Sequence, residues 1–167
     1  MYKRMNEQLQ KEGAMALVTG ASSGIGLAYA RELARRGYDL LLVSNEQERI
    51  GTVAEELAAA FGVKTIPLCM DLARSEAARE LYDYCEREKL QIGILVNNAG
   101  IFFFDDLTEV APERIETMLL LHIRTVTLLC RYFGAAMKRR RAGYILNMSS
   151  LSAWTPAPGI SVYAASK

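Results

Sequence analysis

Thr19-Gly20-Ala21-Ser22-Ser23-Gly24-Ile25-Gly26 lies between two stretches of different periodicity. Before it, Ala14–Thr19 (AMALVT) is a short apolar run that reads as a strand. After it, Ile25, Tyr29 and Leu33 recur every four residues and mark one face of a helix. Arg35 and Arg36 suit the C-terminal end of that helix, and Gly37 suits its cap. In a strand–turn–helix, glycines permit a tight turn and let a pyrophosphate approach the backbone. The helix N-terminus adds free N–H groups and the positive end of its dipole. The spacing is G-x-x-x-G-x-G, not the commoner G-x-G-x-x-G. Glycines alone also fit plain turn chemistry, but the flanking strand and helix favour a phosphate site. The candidate residues are Gly20, Ser22, Ser23, Gly24, Ile25 and Gly26.

Outward from this turn the two patterns keep alternating. Tyr38–Val43 reads as a second strand, and Ile50, Val53, Leu57 and Phe61 as a helix stopped by Gly62. Val63–Leu68 is a third strand despite Pro67, and Ala78, Leu81 and Cys85 mark a third helix. Ile92–Val96 is a fourth strand and Tyr144–Met148 a fifth. The strands are apolar without alternation, as in parallel strands covered by helices on both faces. Strand–helix alternation gives right-handed βαβ units. The fold class is therefore α/β, a Rossmann-type doubly wound parallel sheet with strand order 3-2-1-4-5. Residues 14–167 form this dinucleotide-binding and catalytic domain, and residues 1–13 an N-terminal extension. Between strands four and five, Pro112 suits the N1 position of a long helix over 112–140. Its stripe of Ile115, Leu119, His122, Val126, Leu129 and Phe133 faces something apolar, either the sheet or a second subunit.

Composition sets limits. The 167 residues are 51% hydrophobic and 23% charged with a net charge of +1, an ordinary globular balance. No overall field points to nucleic acid or an anionic membrane. The basic run Lys138–Arg141 reads as a solvated helix C-terminus. Cys69, Cys85 and Cys130 form neither a metal pattern nor a disulfide framework, so buried free thiols in a reducing compartment are expected. No signal-peptide h-region and no 18-residue apolar run is visible, and the expectation is a cytoplasmic protein.

Two further motifs carry chemistry. Asn97-Asn98-Ala99-Gly100 follows the fourth strand, where ligands of an open parallel sheet bind. Small residues there let a cofactor lie on the backbone, and the Asn side chains can tie strands together; alone, the motif also fits an Asx turn. Tyr163-x-x-x-Lys167 puts a phenol and an ammonium on one helical face, with Ser150 thirteen residues before the Tyr. An adjacent ammonium favours the phenolate, and a phenol so tuned passes a proton to or from a carbonyl or alcohol oxygen. Ser150 can steady that oxygen.

Together and in this order, these motifs resemble the short-chain dehydrogenase/reductase family over about residues 13–167. The resemblance implies reversible hydride transfer between a nicotinamide cofactor and a carbonyl or alcohol substrate. It implies Tyr163 as acid/base, Lys167 as the group that lowers its pKa and holds the nicotinamide ribose, and Ser150 as the residue orienting the substrate oxygen. It adds Asp71 and Leu72 after the third strand, Asn98, Ala99 and Gly100, and Tyr163 itself, as cofactor contacts. Where the family carries an Asn on the long helix, this chain has His122, which reads either as a packed core histidine or as a proton-relay residue. The alternative is a non-catalytic nucleotide-binding regulatory or interaction protein of the same fold.

The second strand runs out at Val43-Ser44-Asn45 without the acid that NAD-preferring relatives carry there. The expected cofactor is therefore NADP in preference to NAD, with Ser44, Asn45 and Arg49 near the 2′-phosphate. Phe102, Phe103 and Phe104 follow the Asn-rich turn, and Trp154 follows Ser150. They read either as core packing against the long helix, which is preferred, or as the wall of an apolar substrate site. The resemblance also implies a homodimer or homotetramer through helix 112–140. Family members continue beyond the catalytic Lys, whereas this sequence stops at Lys167, so a fragment of a longer protein, or only its ordered part, is expected.

Overall fold

Five short apolar segments line up side by side in the computed structural model, which describes Leu9 and residues 13–167. They are β1 (Met15–Thr19), β2 (Leu40–Ser44), β3 (Thr65–Cys69), β4 (Ile92–Asn97) and β5 (Tyr144–Asn147). The order across the sheet is β3-β2-β1-β4-β5, and every pairing is parallel, as the strand–helix alternation requires. Apart from Leu9 and Gly13, the N-terminal extension expected over 1–13 lies outside the described residues.

Side chains alternate across the sheet and bury two cores. Ala16, Val18, Leu40 and Leu42 pack with Ala30 and Ala34 of α1 (Gly24–Arg35) and Ile50, Val53 and Leu57 of α2 (Gln47–Phe61). Leu17, Leu41, Val43 and Leu95 pack on the other face with Leu81 and Cys85 of α3 (Ala77–Arg87). Leu129, Phe133 and Met137 of α5 (Val126–Arg140) complete that layer. β1 and β2 are buried throughout, whereas the edge strands β3 and β5 are only partly covered. Pro67 is tolerated because β3 is an edge strand.

Four expectations need correcting. The fully buried face of α1 is Gly26, Ala30 and Ala34; of the expected stripe, Tyr29 and Leu33 are half-buried against the core and only Ile25 is not. Small residues let α1 lie close to the sheet, and Ile25, 59% exposed, turns out to solvent. The long helix is not continuous: α4 (Pro112–Leu119) passes into a π-helical turn over Leu120–Thr125 before α5. The wider turn re-phases the stripe, so Met118, Leu121, His122, Thr125 and Leu129 are buried while Leu119 is exposed. Of the three cysteines only Cys85 is buried, since Cys69 ends an edge strand and Cys130 is half-covered. The basic run is solvated except at Arg140, whose guanidinium donates to the Ile92 carbonyl (2.6 Å). Among the described residues, no helix is long and apolar enough to cross a membrane.

Candidate active site

The glycine turn and the end of β4 are built as one unit. Asn98 Nδ2 donates to the Thr19 carbonyl (3.0 Å) and to the Gly20 carbonyl (3.3 Å). Thr19 Oγ1 accepts from the Asn98 and Ala99 N–H groups (2.9 and 3.0 Å) and donates to the Val96 carbonyl (3.3 Å). Gly20 has φ +65°, and a Cβ there would sit 2.9 Å from both Ala99 Cα and Asn98 Nδ2. At Gly26 a Cβ would collide with the Gly20 carbonyl oxygen. Gly24 differs: φ is +52° with nothing within 4 Å, so the bare backbone opens onto the cleft.

That cleft, of about 420 Å³, lies beyond the C-terminal ends of β1, β2 and β4. Its walls include Gly20, Ser22, Ser23, Gly24, Ile25, Ser44, Asn45, Asp71, Leu72, Asn98, Ala99 and Gly100. The size suits a small-molecule site, and its position is where doubly wound sheets bind ligands. No side chain caps α1, whose N-cap Ser23 is extended, so the helix N-terminus keeps its N–H groups for an anion. These features fit the pyrophosphate of a dinucleotide. Arg49 is exposed and is not among the cleft-lining residues. Glu46, absent from the sequence reading, does line the cleft. It lies two residues past β2, and its place depends on a contact with Ser22 that no local pattern encodes.

The second half of the site is the short helix α6 (Ser161–Ser166). Tyr163 contacts the Phe102 ring edge-on (centroids 4.9 Å) and lies 5.8 Å from the His122 ring. Lys167 Nζ lies 5.5 Å from the Tyr163 ring centroid and donates to the Met148 carbonyl (3.5 Å). Burial pushes the Lys167 ammonium below its usual pKa. Ser150 Oγ accepts from the Ser152 N–H (3.2 Å) and caps a 3-10 turn over Leu151–Ala153.

His122 is fully engaged. Its Nε2 accepts from the Ile101 N–H (2.9 Å), and its Nδ1 lies 2.8 Å from Ser166 Oγ. With Nε2 accepting, the neutral ring carries its proton on Nδ1 and donates to Ser166, whose hydroxyl donates to the Tyr163 carbonyl (2.8 Å). Burial, and then the Lys167 charge, push the His122 pKa down to about 4. The imidazole thus links the loop after β4 to the helix carrying Tyr163 and Lys167. It also borders a smaller cavity of about 140 Å³ that Lys167, Asn97 and Asn147 share. Ser166 went unnoticed in the sequence because its partner is 44 residues away.

The preferred packing role for the aromatic segment does not hold for Phe102 and Phe104, which are exposed. Phe104 instead lies over Gly159, where a Cβ would meet its ring at 2.8 Å. Phe103 carries the Arg114 guanidinium 4.6 Å above its ring. Trp154 and Leu151 are each more than four-fifths exposed.

A family model described as short chain dehydrogenase matches residues 14–167. The chain is 38% identical over 162 residues to the very-long-chain 3-oxoacyl-CoA reductase of Anas platyrhynchos, covering 93% of this chain and 51% of that one. It is 33% identical over 164 residues to the inactive hydroxysteroid dehydrogenase-like protein 1 of Homo sapiens, covering 95% of this chain and 48% of that one. A short-chain dehydrogenase from Sphingobium yanoikuyae in complex with NADPH superposes with a TM-score of 0.86 at 35% identity. That match covers 92% of this chain and 60% of the other. The chain therefore spans about half the length of the curated relatives it matches.

Proposed function

Because the chain belongs to the short-chain dehydrogenase family, we propose that it serves an NAD(P)-dependent oxidoreductase acting on a carbonyl or alcohol group. The observation that carries this reading is Tyr163 on α6 with Lys167 directly after that helix, beside a cleft whose glycine turn fits a pyrophosphate. A bound nicotinamide supplies or accepts the hydride at the substrate carbon. The chain's own residues do the rest. In the reducing direction the Tyr163 hydroxyl gives its proton to the carbonyl oxygen, and Ser150 orients that oxygen by a hydrogen bond. The Lys167 ammonium lies beside the Tyr163 ring, 5.5 Å from its centroid. His122, neutral and bonded at both nitrogens, positions α6 against the loop after β4.

NADP(H) is the favoured cofactor over NAD(H), supported by the absence of an acid at Val43-Ser44-Asn45 and by the NADPH-bound relative. The substrate class is apolar, supported by the exposed Phe102, Phe104, Leu151 and Trp154 on the loops that flank Tyr163. The duck relative's name, a very-long-chain oxoacyl reductase, points the same way. Self-association through 112–140 is supported by exposed Leu119 and Ile123, which line an apolar groove with Leu120. The non-catalytic alternative draws on the human relative named inactive, but this chain keeps Ser150, Tyr163 and Lys167.

NADPH oxidation against a panel of ketones and aldehydes of graded apolar size tests the proposal. Turnover rising with apolar size is expected. Cofactor binding with no turnover on any member would favour the non-catalytic reading.

A further inference from the structure

Residues 101–105 form neither helix nor strand, yet each of them is held from outside the segment. The Ile101 N–H donates to His122 Nε2 (2.9 Å). The Phe102 ring stands edge-on to Tyr163, with centroids 4.9 Å apart. Phe103 lies under the Arg114 guanidinium at 4.6 Å. Phe104 covers Gly159, whose φ of +82° and missing side chain leave room for the ring. The Asp105 N–H donates to the Gly159 carbonyl (2.9 Å), and its carboxylate accepts from Arg114 Nη1 (2.9 Å). The segment therefore joins α4 and the π-helical turn on one side to Gly159 and Tyr163 on the other.

We propose that Ile101–Asp105 is a brace that sets Tyr163 in place, and that Arg114 is the positioning residue that holds it against α4. The inference rests on the reading of Tyr163 as the acid/base. The Arg114–Asp105 pair is about half exposed, and such a pair adds little to stability. Its effect is geometric instead. One guanidinium stacks on the Phe103 ring and donates to the Asp105 carboxylate, which a planar cation does at once. It sits on α4, which itself packs against α6. Removing it releases Phe103 and Asp105 together, and with them the Asp105–Gly159 bond four residues before Tyr163. A reacting group displaced by about 1 Å loses up to about 10²-fold in rate.

The test uses the full-length protein, Arg114→Ala and Arg114→Lys, with two readouts. Amide hydrogen exchange is followed over 101–106 and 157–164, and NADPH-dependent ketone reduction is resolved into kcat and the KM for NADPH. In Arg114→Ala, exchange in both stretches should rise about tenfold. The kcat should fall about tenfold while the KM for NADPH stays within about twofold. The melting temperature should stay within about 2 °C of wild type. Arg114→Lys keeps a cation for both partners and should recover part of each loss. Unchanged exchange in Arg114→Ala would overturn the brace, whatever the turnover. Faster exchange with kcat unchanged would overturn its link to Tyr163, as would a fall in kcat matched by an equal rise in the KM for NADPH. Absence of turnover in the unaltered protein would overturn the reading of Tyr163, and the positioning role with it.

Discussion

At the scale of single residues, backbone space explains the glycine turn better than composition does. A Cβ on Gly26 would strike the Gly20 carbonyl oxygen, an atom that accepts from Asn98 Nδ2. Gly26→Ala should therefore cost about 3 kcal/mol, the upper end for overpacking. In a domain of this size that lowers the melting temperature by roughly 6–12 °C, measurable by circular dichroism. Gly24→Ala meets no atom, and its cost comes from the positive φ alone. His122 gives a pH-dependent prediction. Its folded pKa of about 4 lies below the usual 6.5, so between these values the unfolded chain binds a proton that the folded chain does not. Its contribution is whole above pH 6.5, falls as the pH drops, and is lost at about 4, for a total of about 3 kcal/mol. Urea midpoints from pH 7 to 4 should fall more steeply for the wild type than for His122→Asn. Parallel curves would show that His122 is not the group responsible.

At the scale of elements, the sequence pattern carried the strands and helices because apolar runs and glycine stops are local signals, whereas the strand order is set by pairing between segments distant in sequence. The ends of β3 and β4 moved by a residue or two, since pairing with β2 and β5 sets them. The π-helical turn at Leu120–Thr125 could not be read from a 3–4 stripe. It exists because His122 and Thr125 reach fixed partners, Ile101 and the Leu72 carbonyl (2.8 Å), in other elements. The same holds within the site. Ser150, Tyr163 and Lys167 were legible from spacing, whereas Glu46 and Ser166 depend on partners distant in sequence. The turn also leaves Leu119 and Ile123 exposed beside Arg124 and Glu116. If that face pairs two copies, Ile123→Glu buries a charge in the interface and should shift a dimer or tetramer to monomer in light scattering. An unchanged mass would place the contact elsewhere.

At the scale of the molecule, the sheet divides the work. Strands β1, β2 and β4, buried between helical layers, hold the cleft rigid from one side. The edge strand β5 and the loops after it deliver Ser150, Tyr163 and Lys167 to the other. The two halves meet at Gly100, where a Cβ would lie 3.0 Å from His122 Nε2 and 3.4 Å from Lys167 Nζ. The glycine turn and Tyr163 thus lie on different elements, and the expectation is that pyrophosphate binding and proton transfer separate by mutation. The most direct test is Tyr163→Phe, measured for NADPH binding by fluorescence and for ketone reduction by NADPH oxidation. The expected result is binding within about twofold of wild type and turnover reduced by about 10²–10⁴-fold, the usual worth of a positioned acid/base. Turnover close to wild type in the variant would contradict Tyr163 as the proton donor.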